Sequence, residues 1–363
     1  MFILQEVCLN ITRERIQRAV ERLGYSTLAT LKDVGHFRIR GTVPFFGFIR
    51  QGRTTAAFMK ARKLAGLFAA SSLHNDILYV CSGNIPLGYC LREKKRGVKL
   101  VVNQNGVYYP AWYGPDFAAA NEQHLAGYYR AADYIIYQSA FCEELARRFL
   151  GEPPCAHEVL YNPVDTACFS PKPVCPFDPN APVFLATGIF YNEHRKERLG
   201  LLFEAFALVR FQLPRARLIV AGHIVPDLMK LTHEAGHGVS FPGPYTYEQA
   251  PALYRQGDIY LNTVYNDNCP SAVLEAMSCG LPVVHLGCGG TPELVGETGL
   301  AVEVEKSWKK FVYPAPEDYA VAMLQAVRQR DSLSAAARRR CLERFDIQRW
   351  KRRHEEIFAR IGE

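Results

Sequence analysis

The sequence predicts a two-domain α/β protein in which helices cover parallel sheets. Strand-helix alternation runs through residues 182–302, and a second alternation runs through residues 76–151. A stretch with six prolines, residues 161–182, separates the two. At 363 residues, of which 48% are apolar, the chain is long enough to form two hydrophobic cores.

In the later alternation, four segments are apolar on both faces and close with turn residues, as buried parallel strands do. They are VFLATG, RLIVAG, DIYLNTV and LPVVHL, with helical spacing over residues 198–212 and 271–279 between them. The earlier alternation predicts strands at ILYVCSG, KLVVNQNG and YIIYQS, and helices over residues 124–132 and 140–149. Both units therefore predict doubly wound domains.

We expect a first domain over residues 1–165, a linker over 166–180, a second domain over 181–345 and a final helix over 346–363. The apolar side chains of that helix form one stripe, so it should pack against another element. At the other end, MFILQEV predicts a first strand and residues 12–23 a helix. Residues 55–71 predict either a core helix with solvated lysines or a helix lying on a membrane.

Composition excludes several classes of protein. An aromatic content of 12% and the lack of a long polar tract exclude intrinsic disorder. The chain has no uninterrupted apolar run of about 18 residues, and its start lacks the pattern of a signal peptide, so we expect a cytoplasmic location. The eleven cysteines are scattered singly, which disfavours a disulfide framework or a zinc site. We expect no metal.

The net charge is +7, and residues 1–165 carry 20 basic and 14 acidic residues. This local excess fits an anionic partner, such as a phosphorylated lipid, an acidic glycan or a membrane surface, and it equally fits a solvated basic face. Basic and aromatic residues do not cluster in the stripe typical of nucleic-acid binding. We therefore expect no nucleic-acid partner.

The densest group of chemically distinctive residues lies in NDNCPSAVLEAMSCGLPVVHLGCGGTPELVGETG, from Asn266 to Gly299. Asp267 follows a predicted strand, and Pro270 and Ser271 predict a helix start with Ser271 as its cap, where free amides hold phosphate. Glu275 follows one turn later, and its carboxylate can accept hydrogen bonds from a vicinal diol such as ribose. The glycines at 287, 289 and 290 predict close backbone approach to a ligand. All these residues lie at the carboxyl ends of strands, where open α/β sheets bind ligands.

This stretch resembles the signature of the retaining glycosyltransferases of family 4. Their GT-B fold has two facing Rossmann-like domains, and the resemblance implies a C-terminal helix that packs back toward the first domain. The family pattern is an acidic residue, seven residues and a glutamate, then EAMACGLPVV and a GGxPELV loop. Here it reads Asp267, seven residues, Glu275, EAMSCGLPVV and GGTPELV. The resemblance covers residues 158–363 and is weaker in the first half, in RAADYIIYQSAF and NPVDTACFSP.

The resemblance implies that Glu275 contacts the ribose and that Asp267 contacts hydroxyls of the donor sugar. Because Pro270 replaces the family glycine, Ser271 and Ala272 must supply the amides that bind the diphosphate. The resemblance also implies donor contacts by Gly188, Tyr245, Gly290 and Thr291, although Tyr245 equally fits a surface turn.

The family's lysine beside the leaving group aligns with Lys196, while Ile189 stands at its arginine position. Arg195 or Arg198 replaces that arginine, and spacing does not decide between them. In the first domain, Asn105 and Gly106 stand where the family often has His-Gly, so a sugar contact is implied but no titrating base.

The resemblance implies a retaining, metal-independent transfer from a UDP- or GDP-sugar, with no cofactor beyond that donor. As acceptor we expect a glycan or a lipid-phosphate-linked glycan, as in bacterial polysaccharide assembly, with peripheral association at the inner membrane. Two alternatives stay open: a nucleotide-sugar 2-epimerase of the same fold, and a non-catalytic nucleotide- or sugar-binding homologue.

Overall fold

The computed structural model describes residues 23–25, 44–46, 56–65, 75–81, 83–173, 176–190, 193–225, 228 and 237–362. Within two of these ranges it gives the helical backbone but not the side chains, at residues 56–59 and 193–195. The strand predicted at MFILQEV and nearly all of the helix predicted over residues 12–23 lie outside the described residues. So does the side chain of Arg195.

The first sheet has five parallel strands in the described chain, in the order β1-β2-β3-β4-β5. They are β1 (Pro44–Phe45), β2 (Ile77–Cys81), β3 (Lys99–Gln104), β4 (Tyr134–Tyr137) and β5 (Ala156–Val159). The helices of this domain are α1 (Ala56–Ala65), α2 (Leu87–Lys94), α3 (Pro110–Tyr113), α4 (Phe117–Asn121), α5 (Gly127–Ala131) and α6 (Ala140–Leu150). The central strands β2 and β4 are buried on both faces, which explains their continuous apolar sequence.

The helix predicted over residues 124–132 is present, but it begins earlier and contains a π-helical turn. A π-helical turn, Glu122–Ala126, separates α4 from α5. Gly127 follows this turn and packs closely on α2, because a Cβ there would lie 2.3 Å from Leu87 Cδ2. The α-helical period alone cannot predict this wider turn, which needs a tertiary contact.

The second sheet has six parallel strands in the described chain, in the order β11-β10-β9-β6-β7-β8. They are β6 (Val183–Phe190), β7 (Arg217–Ile224), β8 (Val239–Gly243), β9 (Ile259–Asn262), β10 (Val283–Leu286) and β11 (Leu300–Val302). The helices are α7 (Glu193–Gln212), α8 (Ala250–Tyr254), α9 (Ser271–Ser278), α10 (Thr291–Val295), α11 (Pro316–Arg328) and α12 (Arg330–Arg344). Counted from β6, the order is 3-2-1-4-5-6, that of a dinucleotide-binding domain.

The chain crosses between the domains twice, and the two crossings run side by side. Val164 N donates to Phe345 O at 2.9 Å, and Ile347 N donates to Val164 O at 3.0 Å. Phe169 follows the first crossing in the sequence and is fully buried in the core of the second domain. The exact domain boundaries stay predictions.

The final helix, α13 (Ile347–Gly362), packs back on the first domain, as predicted. Its residues Trp350 and Phe358 share a core with Phe46 and Tyr79. The ring of His354 is also fully buried, and its Nε2 lies 3.0 Å from the hydroxyl oxygen of Tyr79. The predicted GT-B architecture with a returning C-terminal helix is therefore confirmed.

Candidate active site

The strand order places a topological switch point between β6 and β9, because the chain winds away from these neighbours in opposite directions. Beyond their carboxyl ends lies a cavity of about 450 Å³, called cavity A. Thr187 and Gly188 from β6 and Asn262 from β9 line it, together with residues of the first domain such as Tyr109 and Trp112. Open sheets of this order bind ligands at this edge.

Asp267 lines cavity A from the loop after β9. Its Oδ1 accepts a hydrogen bond from Cys269 N at 3.3 Å. The preceding Asn266 has a φ of 53°, a left-handed conformation that costs energy for a residue with a side chain. The fold therefore holds this carboxylate on a tightly turned loop at the cavity.

The glycines after β10 pack closely on that loop, and their approach to a ligand stays a prediction. A Cβ on Gly290 would lie 2.0 Å from Asn268 O, and a Cβ on Gly289 would lie 2.7 Å from Asp267 O. Gly290 N also donates to Asp267 O at 2.7 Å. Thr291 begins α10 and is buried. Neither Gly290 nor Thr291 is among the described residues that line cavity A.

The start of α9 faces cavity A, which Pro270, Ser271 and Ala272 line. Pro270 occupies the N-cap position with no side-chain cap, and Ser271 is the first helical residue, so the prediction that Ser271 caps the helix is wrong. The extended ψ of 114° at Pro270 causes this shift of one residue. The first amides of a helix have no intrahelical acceptor, and with the helix dipole they favour an anion.

Glu275 lies one turn into α9 and is not among the described residues lining cavity A. Its Oε2 accepts a hydrogen bond from the hydroxyl of Tyr254 at 3.1 Å. Burial raises the pKa of Glu275 to about 7, while that hydrogen bond and the positive charge of Lys63 oppose the rise. Tyr245 packs against the core that contains Tyr254, and burial raises the pKa of its phenol.

Of the two arginines that the sequence leaves open, the structure places Arg198 on the wall of cavity A. Its guanidinium lies 5.1 Å from the centre of the Phe190 ring, and a Cβ on Gly188 would lie 3.5 Å from its Nη2. Lys196 is exposed on α7 and is not among the described residues lining this cavity. Arg198 thus supplies a cation to the same cavity that Ser271 and Asp267 line.

A second cavity of about 440 Å³, called cavity B, opens on the first domain. Asn105 and Gly106 line it, and so do His124 from the π-helical turn and Asn268 from the second domain. A Cβ on Gly106 would lie 2.5 Å from Asn268 Nδ2, so a larger residue there would displace the amide of Asn268. Asn268, Val107 and Trp112 line both cavities, so the two adjoin across the cleft.

Sequence reasoning missed Lys60. It is 4% exposed, and its Nζ donates to Asn103 Oδ1 at 3.0 Å and to Asn105 Oδ1 at 2.9 Å. The prediction of solvated lysines on this helix is therefore wrong for Lys60, and α1 packs in the core through Ala61 and Leu64. A signal existed, because a lysine four residues before Leu64 lies on the same helical face.

Two parallel-sheet domains that face each other across these adjoining cavities have the architecture of the GT-B fold. The chain belongs to the group 1 glycosyltransferases of family 4. Residues 12–167 match the sequence model Glycosyltransferase Family 4, and residues 181–328 match the model Glycosyl transferases group 1.

Curated relatives are similar over part of the chain. A phosphatidylinositol N-acetylglucosaminyltransferase subunit from Arabidopsis thaliana is 27% identical over 181 residues, which are 49% of this chain and 38% of that protein. A D-inositol 3-phosphate glycosyltransferase of Geodermatophilus obscurus is 33% identical over 111 residues, which are 29% of this chain and 23% of that protein. The chain thus matches well under half the length of these relatives.

Solved structures share the fold. Anabaena HepE in complex with UDP and glucose has a TM-score of 0.61 at 18% identity, with 78% of each chain covered. The sucrose-phosphate synthase of Thermosynechococcus elongatus has a TM-score of 0.61 at 17% identity, covering 84% of this chain and 77% of the other. Among the described residues, no helix combines the length and apolarity needed to cross a membrane.

Proposed function

We propose that this glycosyltransferase moves a sugar from a UDP- or GDP-sugar to a glycan or lipid-linked acceptor with retention at the anomeric carbon. The observation that carries the proposal is the set of groups around cavity A. A carboxylate, a helix start and a guanidinium, from Asp267, Ser271 and Arg198, line this one cavity. These are the groups that a sugar attached to a diphosphate requires.

In this proposal the diphosphate lies at the amides of Ser271 and Ala272, beside Arg198. The ribose reaches Glu275, and the donor sugar reaches Asp267. The HepE structure with UDP and glucose supports a uridine nucleotide, and the names of the two relatives support the transfer of a sugar. Lys196 and Arg195 stay predicted contacts of the leaving group.

We expect front-side attack for the chemical step. The bond from the anomeric carbon to the phosphate oxygen breaks while the bond to the acceptor oxygen forms on the same face, and the acceptor proton passes to the departing phosphate. Arg198 and the amides of α9 would stabilise the charge that develops on that phosphate. Asp267 is the one carboxylate among the described residues of cavity A, and we assign it to holding sugar hydroxyls. We propose that no metal is needed.

Cavity B fits the acceptor in this proposal. Aromatic side chains of Tyr108, Trp112 and Tyr128 line it together with His124, and such walls suit a ring that carries hydroxyl groups. The adjoining second cavity favours transfer over epimerisation, because a 2-epimerase needs no second substrate. We extend the proposal to a bacterial polysaccharide or glycoconjugate pathway, with the enzyme in the cytoplasm and peripheral to the membrane.

Isothermal titration with UDP and with GDP, on the wild type and on Glu275→Ala, tests the donor site. We expect one nucleotide to bind and the variant to lose about 1.5–3 kcal/mol of binding free energy. Binding of neither nucleotide would overturn the proposal and favour a non-catalytic role. Incubating the UDP-sugar alone separates the alternatives, since an epimerase converts its donor without an acceptor.

A further inference from the structure

Lys60 is a buried cation with no carboxylate partner in the part of the chain that the structure describes. Its ammonium bonds to two amide oxygens, those of Asn103 and Asn105. Burial lowers the pKa of Lys60. Burying an ammonium that lacks a counter-charge costs free energy, and a residue kept at such a cost is a candidate for a functional role.

The bonds of Lys60 continue as a chain of side chains into the other domain. Gln138 Nε2 donates to Asn105 Oδ1 at 2.6 Å, and Asn162 Nδ2 donates to Gln138 Oε1 at 2.8 Å. Asn162 Nδ2 also donates to Cys269 O at 2.7 Å, in the loop that runs from Asp267 to α9. We call Lys60, Asn105, Gln138 and Asn162 the amide relay. It connects α1 of the first domain to the loop that positions Asp267 and Ser271.

The direction of the amide relay is determined at both ends. An ammonium can only donate hydrogen bonds, and a backbone carbonyl can only accept them. With Lys60 at one end and Cys269 O at the other, each amide has a single orientation that satisfies its neighbours. Three of the four members, Lys60, Gln138 and Asn162, are 4% exposed, so water does not substitute for these bonds. Replacing the ammonium with an apolar group removes one of the two N–H donors, Lys60 and Gln138, that hold the oxygen of the first amide, Asn105.

We propose that Lys60 is a positioning residue, which holds the loop between Asp267 and Ser271 in its binding geometry through the amide relay. The proposal rests on the proposed function, because it assumes that this loop contacts the donor. Among the described residues, the ammonium of Lys60 hydrogen-bonds only to amides, and its effect on the donor site passes through Gln138 and Asn162. The first domain thereby determines part of the nucleotide affinity of the second.

A double-mutant cycle tests the proposal, with the affinity for UDP or GDP, whichever the wild type binds, as the readout. We expect Lys60→Met and Asn162→Ala each to weaken binding by about tenfold, which corresponds to one lost hydrogen bond. Lys60 and Asn162 do not bond to each other, so without the relay their effects should multiply. If the two residues act through the relay, either substitution alone interrupts it. The double variant should then bind the nucleotide no more weakly than the weaker of the two single variants.

Arg62→Met serves as the matched control, because Arg62 is exposed on the same helix and lies outside the relay. If Lys60 has a purely structural role, Lys60→Met should lower the melting temperature. Its effect on affinity should then multiply with that of Asn162→Ala. Multiplicative losses, or unchanged affinity in Lys60→Met, would overturn the proposal. If Asn162→Ala does not fold by circular dichroism, Gln138→Met takes its place in the cycle. A wild type that binds neither nucleotide would instead contradict the proposed function.

Discussion

The carboxylate of Glu293 in the second domain accepts a hydrogen bond from the backbone N of Phe141 in the first domain, at 2.7 Å. Its other oxygen accepts from Ala140 N at 2.8 Å, while Ser139 Oγ accepts from Cys142 N at 3.0 Å. Three amides at the start of α6 are thus satisfied, two of them from across the domain boundary. The glutamate of the GGTPELV sequence is therefore a helix cap supplied by the other domain.

Replacing this cap should loosen the contact between the domains. We expect Glu293→Gln to lower the free energy of unfolding by about 1 kcal/mol, since one amide loses a charged acceptor. Urea unfolding of the variant measures the loss. Glu297→Gln is the control, because Glu297 lies four residues later and is exposed. Equal stability of Glu293→Gln and the wild type would contradict the capping role.

Gly290 should be the least replaceable glycine of its loop. A methyl group at residue 290 would collide with Asn268 O, so we expect Gly290→Ala to displace the Asp267 loop and to cost about 1–3 kcal/mol of stability. Nucleotide affinity should fall with it. At Gly287 the methyl group would meet the flexible carboxylate of Glu303 at 3.2 Å, so Gly287→Ala is the matched control. Thermal unfolding and nucleotide titration of both variants test this prediction. Similar losses of stability and affinity in Gly290→Ala and Gly287→Ala would contradict it.

The features that sequence reasoning predicted share a physical cause. Strands such as VFLATG are apolar because both faces are buried, and the stripe on α13 reflects its one buried face. The features it missed depend on contacts between distant segments. Neither the backbone that lies against Gly290 nor the amides that surround Lys60 can be read from nearby residues. Spacing alone did not decide between Arg195 and Arg198. The position of Arg198 on cavity A depends on the path of α7, which the sequence does not give.

Nucleotide affinity should depend on pH through Glu275. Its pKa of about 7 means that the carboxylate is only partly ionised near neutrality, and the ionised form accepts more hydrogen bonds from a diol. We expect binding to strengthen as the pH rises through 7. Titrations one pH unit below and above this value measure the change. Glu275→Gln should retain only the dependence that comes from the nucleotide phosphate, and an identical profile in both proteins would rule Glu275 out.

Mild acid should destabilise the protein through two buried histidines. Burial lowers the pKa of His354 to about 3 and that of His285 to about 4, so both are neutral in the folded state. Unfolded histidines bind protons near pH 6.5, so the stability is complete above that pH and is lost as the pH falls towards the folded pKa. Each histidine should lower the free energy of unfolding by about 1.4 kcal/mol for every pH unit of acidification between pH 6.5 and its folded pKa.

The variant His354→Gln tests this sign, because glutamine keeps a polar group near Tyr79 but does not titrate. We expect its unfolding free energy to fall less steeply with acid than that of the wild type, even if it starts lower. Denaturant unfolding at a series of pH values measures the two slopes. Parallel slopes would show that His354 does not contribute to acid sensitivity.

The return of α13 to the first domain also affects the order in which the chain can fold during synthesis. A ribosome delivers the strands around Tyr79 early, but their apolar neighbours Trp350 and Phe358 emerge only after the whole second domain. Domains usually complete their folding in the order of translation. Here part of the core of the earlier domain stays uncovered until α13 has left the exit tunnel.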